Sequence, residues 1–177
     1  MRPRASRWLP AMAALLLSPA VAWPGGSTPD APLNEPAMEA ALRRFTATDL
    51  AGAAWSLPEM HGRVVLLDFW ATWCAPCLAE LPRLRALREK HAESGFEILG
   101  ISLDVMSRQA FVSWLNRHRI DWPQVHDRMG YGGNVPRLFA VDRLPRSVLV
   151  ARDGRIAAID ARGERLASLV EALVLER

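Results

Sequence analysis

The sequence contains only two cysteines, Cys74 and Cys77, among 177 residues. Two cysteines cannot supply a network of structural disulfides, nor the four thiolates of a cysteine zinc site. Metal binding by histidine has no better support, because the four histidines share no ligand-like spacing. We therefore expect no metal and no cofactor. The two thiols, which stand three positions apart, carry the chemistry that needs an explanation.

Acidic residues are absent from the first 29 positions, and this stretch accounts for the excess of positive charge. The net charge is +3, and Arg2, Arg4 and Arg7 supply all of it. Beyond them, basic and acidic residues balance. The high isoelectric point therefore gives no support for a nucleic-acid partner of the folded part.

No apolar run reaches the roughly 20 residues that a membrane-spanning helix needs. Residues 1–22 instead have a charged start, a short apolar stretch and a small-residue site at Ala20-Val21-Ala22, which is typical of a secretory signal. An uncleaved N-terminal membrane anchor is the alternative. Either leader predicts a periplasmic or other extracytoplasmic location. Residues 23–36 are rich in proline and glycine and predict a flexible linker, and residues 37–177 form the predicted domain.

The two cysteines follow directly after a predicted buried strand. The apolar run that starts at Val64 and ends at Trp70 is short and β-branched at its start, as expected of a strand covered on both faces. Leucines then recur every three residues from Leu78, with arginines between them, which predicts a helix with one apolar face. Cys74 and Cys77 are thus placed where a strand turns into the start of a helix.

This placement favours thiol–disulfide exchange. The unpaired N–H groups and the dipole of a helix start stabilise a thiolate, and such thiols reach pKa values of roughly 3.5–7.5 against about 8.5 for a free thiol. We expect Cys74 to attack as the thiolate and Cys77 to resolve the mixed disulfide, so that the pair forms a redox disulfide. A purely structural disulfide is the alternative, but a loop this short contributes little stability.

The remaining chain predicts alternating strands and helices. The predicted elements are a short helix over 37–44, a hairpin over 45–57, a strand over 96–103, a helix from Ser107 to about His118, an extended connection over 121–128, a glycine-rich loop over 130–133, a short helix over 136–141, a hairpin around Asp153-Gly154 and a final apolar-faced helix. This order indicates an α/β domain.

The stretch DFWATWCAPC resembles the exported TlpA/ResA-like thiol–disulfide reductases, which have the thioredoxin fold. The similarity continues in Glu80 and Pro82, in DWPQVHD at 121–127 and in PRSVLVARDGRI at 145–156. The resemblance implies a thioredoxin-like fold, that is, a central mixed β-sheet flanked by helices. It also implies an N-terminal β-hairpin and an inserted strand and helix over 96–119.

The resemblance also implies where a substrate binds. Pro145 matches the position of a cis-proline that faces the CxxC motif, where a substrate backbone can pair beside the disulfide. The family usually has a small or β-branched residue before it, whereas this chain has Leu144, with Arg143 and Arg146 beside it. We therefore expect Trp73, Leu144 and Pro145 to contact substrate, with a more cationic rim than usual. Trp70 and Trp73 are expected to wall the site.

Two carboxylates compete for the proton-handling role. Asp68 lies among apolar neighbours, so burial should raise its pKa, and it matches the buried aspartate of ordinary thioredoxins. Glu80 lies one turn after Cys77 and matches the glutamate typical of the exported subgroup. The sequence does not rank them. Asp68 could instead be a hydrogen-bonded structural residue, and Glu80 a surface charge paired with Arg83.

The expected function is that of an extracytoplasmic protein-disulfide reductase. The resemblance suggests apocytochrome c or copper-site proteins as disulfide-bearing clients. It also suggests a membrane thiol electron donor of the DsbD/CcdA kind. The alternatives are a disulfide-forming oxidant, and a copper metallochaperone that uses the same two thiols. A thiol peroxidase is disfavoured because the Thr-x-x-Cys context is missing.

Overall fold

A computed structural model describes residues 35–176. The predicted signal over 1–22 and most of the predicted linker over 23–36 lie outside this part. The helices are α1 (Glu35–Arg44), α2 (Leu57–Met60), α3 (Ala75–His91), α4 (Arg108–Arg117), α5 (Asn134–Leu138) and α6 (Gly163–Leu175), with a 3-10 turn at Gly130–Gly132. The strands are β1 (Thr46–Thr48), β2 (Ala54–Ser56), β3 (Val64–Trp70), β4 (Phe96–Ser102), β5 (Gln124–His126), β6 (Arg146–Val150) and β7 (Ile156–Ile159).

The main sheet has five strands in the order β5-β4-β3-β6-β7. β3 pairs in parallel with β4, and β4 with β5, whereas β6 is antiparallel to both β3 and β7. β1 and β2 form a separate antiparallel hairpin. The predicted thioredoxin-like architecture is therefore confirmed: the central sheet is mixed and helices flank it. β4 and α4 occupy the residues for which an inserted strand and helix were predicted.

β3 is the central strand, and its burial explains its composition. Every residue from Val64 to Trp70 is buried except Asp68, which is partly exposed. Successive side chains of a strand point to opposite faces. Phe69 packs on one face against Phe139, with ring centroids 5.5 Å apart. Leu66 and Asp68 face the other side, which α3 and α6 cover. The acid is thus held on the face of the sheet that these helices cover, and its partner in the β6 register is Ser147.

Four elements differ from their prediction. The extended connection over 121–128 contains β5, a true edge strand of the sheet. The glycine-rich loop contains the 3-10 turn. α5 begins two residues before the predicted start, because Pro136 occupies the first turn, where a helix has no use for the missing N–H. α1 likewise begins at Glu35 and takes the last two residues of the predicted linker.

No helix within residues 35–176 combines the length and the apolar character that crossing a membrane requires. The predicted uncleaved anchor concerns residues outside this range.

Candidate active site

Cys74 is the N-cap residue of α3, and Cys77 lies in its first turn. Their sulfur atoms are bonded in a disulfide, and both side chains are buried. The Cys77 backbone N–H donates to Cys74 Sγ at 3.3 Å. One N–H group of the helix start therefore points at the first sulfur, in agreement with the prediction from the sequence. The same amide would stabilise a thiolate at Cys74 after reduction.

The loop before Cys74 is held by a carboxylate that the sequence analysis missed. Asp104 follows β4 and is only 1% exposed. Its oxygens accept hydrogen bonds from the Thr72 hydroxyl at 2.6 Å and from the Thr72 N–H at 3.0 Å. Ser102 Oγ also donates to it at 2.9 Å. These bonds tie the β3–α3 loop to the end of β4. The only signal in the sequence for this role is that Asp104 closely follows a strand predicted to be buried.

A small cavity lies behind the disulfide, between the sheet and helices α3 and α6. Its volume is about 300 Å³ when the open mouth is included, and its enclosed part has room for a water molecule. The residues of its wall that bear on the chemistry are Asp68, Cys77, Glu80, Pro145, Ser147 and Arg162. The structure therefore brings both predicted carboxylates to the side of the resolving cysteine.

Asp68 is the carboxyl group most changed by this environment. Part of its surface is accessible through the cavity, and protein atoms pack around the rest of the side chain. Burial raises the pKa of Asp68 to about 7, because the charged form loses its hydration. The Arg162 guanidinium opposes this shift in the pKa of Asp68, and the Glu80 carboxylate adds to it. An acid with this pKa can take or give a proton near neutral pH.

Glu80 has two partners on its own side of the cavity. One carboxylate oxygen accepts a hydrogen bond from the N–H of Gly163, the first residue of α6, at 3.3 Å. The other lies 3.5 Å from Arg83, one turn along α3. The predicted pairing with Arg83 is therefore present, but the side chain is not a plain surface charge. It connects α3 to the positive end of α6 and remains next to Asp68.

Arg162 is the second residue of the site that the sequence analysis missed. Its guanidinium donates a hydrogen bond to the carbonyl oxygen of Pro145, and it lies 3.7 Å from a carboxylate oxygen of Asp160. Among the residues that the structure describes, it is also the one cation on the cavity wall that acts on the pKa of Asp68. No sequence pattern marks it, because its partners come together only when β7 returns beside β6.

The segment before β6 contributes Pro145 to the wall of the cavity that Cys77 also lines. The Leu144–Pro145 peptide bond is cis, and both side chains are partly exposed. Trp73 is 59% exposed beside Cys74. Trp70, by contrast, does not wall the site as expected. It is buried, and its indole N–H donates to Gln124 Oε1 at 3.0 Å. Its position as the last residue of a central strand explains the difference.

The expected cationic rim is only partly present. Arg143 is exposed, but Arg146 is 3% exposed and forms an ion pair with Asp160 at 3.2 Å. The expectation that Arg146 belongs to the rim was wrong, because β6 directs this side chain into the protein, where the carboxylate meets it. Within residues 35–176, no three His, Cys, Asp or Glu side chains group as ligands for a metal ion.

Comparison with known proteins agrees with this geometry. The model of the AhpC/TSA family matches residues 38–159. A thiol-disulfide oxidoreductase named ResA, from Bacillus thuringiensis subsp. konkukian, is 32% identical over 127 residues, which are 72% of this chain and 70% of the relative.

Solved structures are also similar. A thiol-disulfide oxidoreductase from Bacteroides fragilis has a TM-score of 0.65 at 30% identity, over 73% of this chain and 96% of that one. The MTB protein DsbF, solved in mixed oxidized and reduced forms, has a TM-score of 0.62 at 25% identity, over 75% and 97% of the two chains.

The burial of Asp68 predicts how stability depends on pH. The folded protein keeps this proton up to about pH 7, whereas the unfolded chain loses it near the ordinary pKa of 3.8. The folded state therefore binds more protons in this range, and its free energy of unfolding decreases as pH rises. We expect Asp68 to contribute a decrease on the order of 2 kcal/mol or more between about pH 4 and pH 7.

Asp68→Asn should remove this contribution. Urea unfolding of the oxidised protein at several pH values gives the slope, and the slope should be flatter in the variant. Asp121→Asn is a matched control, since this exposed acid should leave the slope as it is. An equal slope in the wild type and in Asp68→Asn would contradict the assignment.

Proposed function

Because this chain belongs to the AhpC/TSA family and is related to ResA, we propose that it is an extracytoplasmic protein-disulfide reductase. Its broader class is that of the thiol–disulfide oxidoreductases, with Cys74 and Cys77 as the redox pair. One observation carries the proposal: the disulfide lies at the start of α3, with a buried acid of raised pKa behind the resolving cysteine.

The proposed reaction begins with the reduced protein. The Cys74 thiolate attacks one sulfur of a client disulfide, which forms a mixed disulfide and releases the other client sulfur as a thiolate. Cys77 then loses its proton and attacks Cys74 Sγ. This step releases the second client thiolate and leaves the Cys74–Cys77 disulfide seen in the structure. Two electrons pass to the client. One proton comes from Cys77, and the second comes from solvent, because Cys74 reacts as the thiolate.

Asp68 is the group that we assign to the proton of Cys77. It lies on the same cavity as that cysteine, its pKa is near neutral, and the enclosed space can hold the water that would link them. Glu80 has a different assignment. Its carboxylate holds the start of α6 and raises the pKa of Asp68, so we treat it as a positioning residue.

The partners and the location complete the proposal. The leader-like residues 1–22 support export to a periplasm or an equivalent space, either with cleavage or with the leader kept as an anchor. A membrane thiol donor of the DsbD/CcdA kind would return two electrons to the disulfide by the reverse exchange. The resemblance to the TlpA/ResA-like reductases supports apocytochrome c or copper-site proteins as clients.

The reduction potential tests the direction of the reaction. A reductant must give electrons to its client, so we expect a value near that of thioredoxin, about −270 mV, by equilibration with glutathione or dithiothreitol. Thioredoxin measured in the same buffers is the control. A value near about −120 mV would instead identify a disulfide-forming oxidant.

A trapping experiment tests the client and the roles of the cysteines. Cys77→Ala cannot resolve the mixed disulfide, so client proteins should accumulate on Cys74 when the full chain is exported in bacteria. Acid quenching, alkylation and mass spectrometry would identify them. The double variant Cys74→Ala/Cys77→Ala should trap none. Absence of any trapped protein in Cys77→Ala would count against the proposal.

The pH dependence of client reduction tests the proton assignment. Asp68→Asn should slow reduction about 10- to 100-fold near neutral pH, because the proton acceptor is gone. Glu80→Gln leaves Asp68 in place, but removal of a neighbouring negative charge lowers the pKa of Asp68. The rise of the reduction rate with pH should therefore occur at lower pH in this variant. Glu164→Gln is the matched control, because Glu164 pairs with Arg83 outside the cavity. A wild-type rate in Asp68→Asn would refute the assignment.

A further inference from the structure

Four exposed apolar side chains belong to loops at one edge of the main sheet, and we call them the apolar rim: Trp73, Val105, Met129 and Tyr131. Their exposed fractions are 59%, 68%, 62% and 40%. Within residues 35–176, the only other large hydrophobic side chain that is as exposed is Leu175, near the end of α6. Single exposed apolar residues are ordinary, but four of five at one edge indicate a contact surface.

The sheet register explains why these residues meet. β3, β4 and β5 are parallel, and their last residues are paired side by side. Trp73, Val105 and Met129 each follow the last residue of their strand by three positions. Tyr131 follows two positions after Met129. The three loops therefore leave the same edge of the sheet at the same height, next to Cys74.

Contacts between the loops show that the rim is continuous. Thr72, which precedes Trp73, is bonded to Asp104, which precedes Val105. A methyl group placed on Gly130 would lie 3.5 Å from Val105 Cγ1, so the third loop touches the second. The loop beside the disulfide is therefore bonded to the second loop, and the second loop lies against the loop that carries Met129 and Tyr131.

Hydrogen bonds within and between the loops fix the backbone that carries the apolar rim. Met129 N–H donates to Asp127 Oδ1 at 2.9 Å, and Gly132 N–H donates to the Met129 carbonyl at 3.0 Å. His126 Nε2 lies 3.1 Å from the carbonyl oxygen of Met106, which joins β5 to the second loop. A surface ordered before binding loses less conformational entropy when a partner arrives.

The disulfide beside the rim determines what can occupy it. Cys74 and Cys77 are buried, so a client sulfur can reach them only if the client backbone lies against these loops. Trp73 directly precedes Cys74, and the rim continues from it without a charged member. Aromatic residues and Met are enriched in the centres of protein interfaces, where they bind apolar partners.

We propose that the apolar rim binds a segment of the client in which apolar side chains flank the attacked cysteine. This inference rests on the proposed function and names its substrate class. The segment would run from Pro145, beside β6, across the disulfide to the loop after β5. Three strand spacings separate β6 from β5, which is about 14 Å, the length of about four extended residues. The apolar side chains should therefore lie within about four positions of the cysteine.

Competition between two disulfide peptides tests this proposal. The peptides are equal in length and net charge, and one has leucine and valine within four positions of its cysteine where the other has serine and threonine. The reduced wild-type protein should prefer the apolar peptide about tenfold in kcat/KM. Val105→Ser/Met129→Ser should lower this ratio at least about threefold. Leu175→Ser, which removes the exposed apolar residue outside the rim, should keep the wild-type ratio.

The outcomes separate this inference from the proposed function. Reduction of neither peptide by the wild type would refute the function itself. Equal reduction of both peptides would overturn the inference and leave the function in place. Sedimentation of the purified protein tests whether a second copy of the chain occupies the rim instead. A dimer that is dissociated by Val105→Ser/Met129→Ser would show that it does, and this result would also overturn the inference.

Discussion

The junction between β3 and α3 is the constraint on which the rest of the structure depends. A strand buried on both faces ends at Trp70, and a helix begins at Ala75 after only four residues. Because the turn is so short, the first amides of α3 must point at the residue that closes it, which is Cys74. The reactivity of one sulfur atom thus follows from the burial of a strand, and the bonds from Asp104 to Thr72 hold the turn in place.

The same burial gives the site its acid. An aspartate in a central strand loses most of its hydration, so it keeps its proton at pH values where an exposed acid has lost it. The group faces a small cavity that has room for a water molecule and whose wall also holds Glu80, Ser147 and Arg162. Glu80 and Arg162 adjust the pKa of Asp68 in opposite directions, so the acid is balanced near neutrality by one neighbour from α3 and one from the start of α6.

Much of the fold and half of the site could be predicted from local patterns. The apolar runs of β3 and β4, the Asp153-Gly154 turn and the Ser107 cap depend on neighbours in sequence, and the structure has each of them. The residues that were missed or misplaced depend on distant partners. Asp104 meets Thr72 across 32 positions, and Arg146 is buried because Asp160 returns beside it on the neighbouring strand. The spacing of residues along the chain does not predict contacts between residues so far apart in sequence.

The two contacts of Arg162 connect the substrate side of the site with the protonation of Asp68. One guanidinium reaches both the Pro145 carbonyl, on the segment that a client would press, and the field around Asp68. If that segment moved and drew the guanidinium away, the pKa of Asp68 would rise. By reciprocity, gain of a proton at the acid would loosen the hold on the segment. Under the proposed function, docking and proton uptake would therefore be thermodynamically linked through a single side chain.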